Sequence, residues 1–221
     1  WGWQPIMHLT AVVCILAVVT VWLGYRPPPG SKTSTGGRMG FHMPRRELKM
    51  VLYAGLVWTV YNLAYFSIIS FGPALLLERG LDVAAAGAAI SLASWAALPA
   101  LPLGGYLADR TGRPDLVLGI SCILAAGAAA LLPMTDHPYL LCAIVGLFAA
   151  APAGLIMGRA ISLMSPPHRA QGNAILYTFF YGGMGLIPSV VGWGADVTGT
   201  AATPLYFSAS ALLLSVPLFL V

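Results

Sequence analysis

The chain has 221 residues, of which 58% are hydrophobic and only 8% charged. Ordinary soluble domains carry about 25% charged residues, so this composition excludes a water-solvated globule and implies helices that face lipid or one another. The net charge of +4 comes from basic residues too few and too dispersed to form a nucleic-acid face.

Apolar runs near the ~20 residues that a bilayer-spanning helix needs are expected at 5–25, 49–77, 83–107, 116–134, 139–160, 172–195 and 203–221. No Met begins the chain and no basic stretch precedes the first run. The sequence therefore reads as starting inside a longer gene product, not with a signal peptide. The linker 26–48 opens Arg26-Pro27-Pro28-Pro29-Gly30, carries Lys32, Arg38, Arg45 and Arg46, and borders Lys49. It reads as a flexible, basic, cytoplasmic connector. The other linkers are short, so consecutive helices pack antiparallel. With the long linker inside, ten of the eleven basic residues fall on that side, and only Arg79 lies outside, among Glu78, Asp82, Asp136 and Asp196. This positive-inside asymmetry supports all seven spans together, with the N-terminus outside and the C-terminus inside.

The second run places Trp58, Tyr61, Asn62 and Tyr65 near its centre. Trp58, Asn62 and Tyr65 follow i, i+4, i+7 spacing and share a helical face, with Tyr61 beside it. A carboxamide in hydrocarbon needs partners, so Asn62 is either a substrate contact or an interhelical hydrogen bond. Trp95 sits mid-run in the third segment, while Tyr177 and Tyr181 are i, i+4 partners in the sixth. For these aromatics packing competes with a pocket role. Ala85, Ala89, Ala93 and Ala97 form a period-four stripe suited to close helix packing. Pro99, Pro102, Pro152 and Pro188 are expected to interrupt their helices as kink points.

No Asp or Glu falls at membrane depth, and Arg159 is the one cation that burial could reach, as a snorkelling residue or an anion contact. Cys14, Cys122 and Cys142 all lie in apolar runs without metal-ligand spacing and read as packing. Between the third and fourth runs lies the densest charged patch, from Gly104 and Gly105 through Asp109, Arg110, Gly112 and Arg113 to Pro114. It reads as a tight turn at the membrane surface, with glycines allowing close approach and positive φ. Its motif returns 87 residues later as Gly192-Trp193-Gly194-Ala195-Asp196-Val197-Thr198-Gly199. Three spans separate the copies, so the second faces the opposite side, and it lacks both arginines. An inverted three-plus-three repeat explains the echo; the alternative is chance likeness of two Gly-rich helix ends.

The patch closely resembles the G-x-L-A-D-R-x-G-R signature of the major facilitator superfamily of secondary transporters. Leu107, Ala108, Asp109, Arg110, Gly112 and Arg113 match it residue for residue. Ser165-Pro166-Pro167-His168-Arg169-Ala170-Gln171-Gly172 resembles that family's Pro-x-Arg-x-x-Gly turn between its tenth and eleventh helices. The resemblance implies an all-α, polytopic membrane helix bundle. Residues 49–221 would be the six-helix C-terminal half with its inverted 3+3 repeat, and 26–48 the central cytoplasmic loop. Residues 1–25 would be one extra transmembrane helix, the last of the N-terminal half. The last five helices resemble, within the superfamily, the bacterial cyanate and nitroimidazole exporter-like group.

It further implies transport of a small solute by alternating access in the plasma (bacterial inner) membrane. Substrate would be met by Trp58, Tyr61, Asn62, Tyr65, Trp95, Tyr177 and Tyr181. Gly105, Asp109, Arg110, Gly112 and Arg113 would form a conformational gate, with Asp109 accepting from a helix N-terminus of the N-terminal half. The implied partners are the solute, the lipid bilayer and that N-terminal half, with no nucleic acid. No catalytic residue, metal or cofactor is implied, and a coupling proton or ion stays open. The rival reading is a non-transporting scaffold, or a half-transporter that needs a partner subunit. An intramembrane enzyme would need a nucleophile–base pair or a metal cluster at depth, and none can be picked out.

Overall fold

Each of the seven apolar runs forms helix in the computed structural model, which describes residues 4–26 and 43–220. The helices are α1 (Gln4–Gly24), α2 (Arg45–Glu78), α3 (Val83–Thr111), α4 (Pro114–Leu131), α5 (Pro138–Ala150), α6 (Ala153–Ser162), α7 (Arg169–Thr198) and α8 (Thr203–Leu220). Short 3₁₀ turns follow α4 at Leu132–Met134 and precede α7 at Pro166–His168. Helices α5 and α6 share one crossing, so eight helices make seven segments long and apolar enough to span a membrane. No strand occurs among the described residues. Helix α1 belongs to one unit and α2–α8 to a second. Within α1, Thr10 and Thr20 return their hydroxyls to the Ile6 and Leu16 carbonyls.

Local chemistry sets the helix ends. The Asp82 carboxylate accepts from the Ala85 amide at 2.8 Å and caps α3. Pro114 and Pro138 occupy the first positions of α4 and α5, where a missing N–H costs nothing. Gly112 and Gly199 end α3 and α7 in the left-handed region, at φ of 63° and 67°. The echo between these two ends extends to hydrogen bonding. The Gly112 amide donates to Ala108 and the Gly199 amide to Ala195. Thr111 and Thr198 each return a hydroxyl to the carbonyl four residues back.

Three expectations change. Helix α2 begins at Arg45, inside the expected linker 26–48; Lys32 and Arg38 of that linker lie outside the described residues. Only one of the four prolines marks a break. Helices α3 and α7 run unbroken through Pro99, Pro102 and Pro188, whereas the chain leaves helix at Ala151–Pro152. In the signature patch, Gly104 and Gly105 are helical residues of α3, so the turn itself is confined to Gly112 and Arg113, and Gly112 alone has positive φ.

The core of α2–α8 mixes large residues such as Leu63, Ile68, Leu118 and Leu212 with many alanines, and small residues mark its closest helix contacts. Helices α3 and α5 pack most extensively. Ala89 and Ala93 of the alanine stripe are fully buried there, with Ala86 and Ala100, while Ala85 and Ala97 are half-buried. Gly146 packs against the Ala93 backbone, and Gly104 against the Ala151 backbone at the α5–α6 break. Helix α7 lies along α2, where Gly55 meets Phe179 and Gly183 meets Thr59 and Leu63. Helix α8 fills the groove between α2 and α4, with Cys122 3.7 Å from Ser215. Cys122 and Cys142 are buried free thiols, and Cys14 is exposed.

Candidate functional site

Two helices bring aromatic rings onto a common patch. On α2, Trp58, Asn62, Tyr65 and Phe66 are partly buried along one side. On α7, Tyr177, Phe180 and Tyr181 stand opposite. Phe180 is the centre: its ring lies 6.3 Å from Trp58, 6.1 Å from Phe66, 6.4 Å from Tyr177 and 5.0 Å from Tyr181. Tyr177 and Tyr181 stack at 6.2 Å, and Tyr65 meets Phe66 edge-on at 5.9 Å. Such tilted and edge-on arrangements suit the ring quadrupoles. Tyr181 is 67% exposed, so the cluster opens outward from the bundle.

Phe180 and Phe66 are the members the sequence does not mark. Their signals were weak: Phe180 is three residues from Tyr177, and Phe66 four from Asn62. Tyr61 lies on the inner side of Trp58. It is 2% exposed, and its hydroxyl donates to the Ala149 carbonyl. That carbonyl belongs to the last turn of α5, where the helix break leaves acceptors without intrahelical donors. Tyr61 therefore ties α2 to the end of α5 with its hydroxyl, while its ring borders the patch 6.1 Å from Trp58. Trp95 is 69% exposed on α3 and has no ring contact with the patch among the described residues, although its neighbour Ser94 lies beside the Tyr65 hydroxyl.

The polar capacity of the patch is small. Asn62 gives one amide hydrogen to the Trp58 carbonyl at 2.8 Å, which leaves its second N–H and its oxygen for another partner. The buried Trp58 Nε1 has no hydrogen-bond partner among the described residues. No Asp, Glu, Lys or Arg occurs in α2 between Lys49 and Glu78, or in α7 between Arg169 and Asp196. The patch can stack on a flat or apolar solute and donate a few hydrogen bonds. It offers no formal charge. Among the described residues no group of His, Cys, Asp and Glu is arranged to hold a metal ion.

Charged contacts lie at the two ends of the bundle. At the end holding the start of α2, Arg159 Nη1 bonds Asp115 at 3.0 Å and its guanidinium lies 4.9 Å over the Phe219 ring. At the same end, Glu47 pairs with His168. At the other end Arg79 reaches Asp136 and the Leu132 carbonyl, while Glu78 accepts from the Ala201 amide.

The signature turn makes mostly local contacts. Arg110 donates to the Tyr106 hydroxyl at 2.7 Å and makes no ion pair among the described residues. Arg113 caps the start of α4 through its backbone, and its amide donates to the Thr111 hydroxyl at 3.4 Å. Asp109 is exposed and, among the described residues, forms no hydrogen bond or ion pair. Gly105 faces open space, and Gly112 supplies the positive φ of the turn.

Seven apolar segments long enough to cross a bilayer and close helix packing define a multi-pass helical membrane protein. A family model described as the Major Facilitator Superfamily matches residues 57–221, and the chain belongs to that superfamily of membrane transporters. No curated protein gave a match.

Proposed function

We propose that residues 49–221 are the C-terminal half of a secondary transporter working by alternating access, with 26–48 its central loop and 1–25 the last helix of its N-terminal half. The observation that carries this reading is the uncharged patch of Trp58, Asn62, Tyr65, Tyr177, Phe180 and Tyr181 on α2 and α7, open on the side away from the core. Helices of a major facilitator half line a midplane cavity between the two halves, and such a patch needs that second wall. The solute is a small organic molecule or a soft anion, held by shape, stacking and one or two hydrogen bonds from Asn62 and Trp58. Trp95 is a peripheral contact. The loop charges support an N-terminus outside and a C-terminus inside the plasma membrane. The texture of the last five helices favours the cyanate and nitroimidazole exporter-like group.

Gly105, Asp109, Arg110, Gly112 and Arg113 form the gate of this reading. Asp109 is exposed and has no partner among the described residues of its own half, which suits a residue that docks on another half. Coupling through a titrating intramembrane carboxylate, if present, belongs to the N-terminal half, because this half has none at depth.

The test is transport in proteoliposomes made with the native full-length protein. Solutes are screened first, and Asn62→Ala and Trp58→Phe then weaken uptake of the solute found. Unchanged uptake in both variants removes the patch from the pathway. The intact mass of the native protein separates this reading from a half-transporter or scaffold. Five further spans of about 20 residues each, with loops, bring a complete carrier to about 40–45 kDa.

A further inference from the structure

A cavity lies on a different side of α2 from the aromatic patch. The pocket encloses about 310 Å³ between α2, α6 and α8, at the small end of the ~300–1,000 Å³ range of small-molecule sites. On α2 its uncharged residues are Met50, Tyr53, Ala54 and Val57, at i, i+3, i+4 and i+7. That stripe is roughly a quarter turn round the helix from Trp58, Asn62 and Tyr65, and about 12 Å nearer its start. The two sites are therefore separate.

The walls are apolar, with Val57, Ile156, Leu163 and Phe219 among them, and the charged groups lining it are Lys49 and Arg159. Among the described residues no carboxylate lines the pocket. Arg159 is held in place from two directions, by Asp115 at 3.0 Å and by the Phe219 ring at 4.9 Å. Its contact with Asp115 uses Nη1, so other donors of the fork stay available. Lys49 is exposed and forms no ion pair among the described residues. Tyr53 does not serve a neutral ligand head, since its hydroxyl is already given to the Leu218 carbonyl in the last turn of α8. Two cations thus face an apolar cavity whose phenol is spent.

We propose that this pocket binds an organic anion with an apolar body, its carboxylate or phosphate held between Lys49 and Arg159 and its body lying against Val57, Ile156 and Phe219. The source is either a single-chain amphiphile from the membrane surface or a compact organic acid from the aqueous phase. Both share one chemistry, a single anionic head on an apolar body.

Radiolabelled decanoate is the probe, bound to the native full-length protein in nanodiscs of neutral lipid. The expected result is saturable binding that Lys49→Met weakens about tenfold, the value of one charged hydrogen bond, and that Lys49→Arg restores. Lys49→Glu abolishes it. Asn62→Ala leaves it unchanged, which separates this site from the aromatic patch. Lys49 is exposed, so these variants fold. Competition by 2-naphthoate supports an aqueous organic acid as the occupant, and its failure beside decanoate binding supports a chain amphiphile. Non-saturable uptake, equal binding by Lys49→Met, or equal displacement by uncharged decanol overturns the proposal.

Discussion

The Glu47 carboxylate and Nδ1 of His168 lie 2.7 Å apart, joining the first turn of α2 to the 3₁₀ turn that leads into α7. Ser165 completes the cluster, its hydroxyl 3.3 Å from the same carboxylate oxygen and 2.9 Å from the same imidazole nitrogen. Glu and His side chains here are 19% and 22% exposed, so water competes only in part. The clasp sits where α2 and α7 begin, and these are the two helices that carry the aromatic patch. It sets their relative height, and with it the spacing of Trp58 and Phe180.

Removing either partner should therefore loosen the α2–α7 pair. Glu47→Gln and His168→Ala are each expected to lower the thermal midpoint of the purified protein. The double variant should lose no more than the worse single one, because each change breaks the same contact. Additive losses in a thermal-shift measurement would mean that the two residues act independently.

The α3–α5 contact makes a sharper steric prediction. A Cβ on Gly104 would fall on the Ala151 carbonyl, and one on Gly146 on the Ala93 carbonyl, and both obstacles are backbone. Gly104→Ala and Gly146→Ala should each cost about 1–3 kcal/mol through overpacking. Gly105→Ala meets nothing within 4 Å and should be neutral or slightly stabilising, since alanine is the better helix former. Unfolding of the three variants in mixed micelles checks the ranking. Comparable losses at 104 and 105 would show that the signature glycines act in some way other than packing.

For the gate, Asp109→Asn keeps the shape of an exposed side chain and removes its charge. If Asp109 docks on a helix N-terminus of the N-terminal half, the variant should populate inward-facing states. A cysteine introduced by Tyr181→Cys then reports the change, because it lies on the open patch. Its labelling by an impermeant thiol reagent from the inside should speed up in the Asp109→Asn background. An unchanged rate removes the gate from this turn.

The spans were legible because charge is confined to their ends: nothing charged lies between Lys49 and Glu78 or between Arg169 and Asp196. The echo was legible because Gly112 and Gly199 perform one backbone task, ending a helix at positive φ. What stayed hidden is long-range. Glu47 and His168 are 121 positions apart, and no local pattern pairs them. Phe180 was hidden for a related reason, since its importance comes from α2 lying beside it. Three of the four prolines do not interrupt their helices, because a membrane helix can re-satisfy the freed backbone groups with neighbouring ones. At Pro152 small residues on both sides allow the chain to turn out of helix.

Tyr61 shows what helical spacing leaves open. It adjoins Asn62, and periodicity places it at the edge of the same face, yet its ring is in the core with its hydroxyl on the Ala149 carbonyl. Tyr61→Phe should therefore act on stability and not on recognition. It leaves a buried acceptor unpaired at the end of α5, at a cost of about 1–3 kcal/mol. The folded fraction should transport with an unchanged apparent affinity. Asn62→Ala should do the reverse, weakening affinity with little loss of stability, because its present bond only returns to its own helix. Measuring both properties for both variants separates the helix-end tie from the solute contact. A raised apparent affinity constant in Tyr61→Phe would return Tyr61 to the binding face.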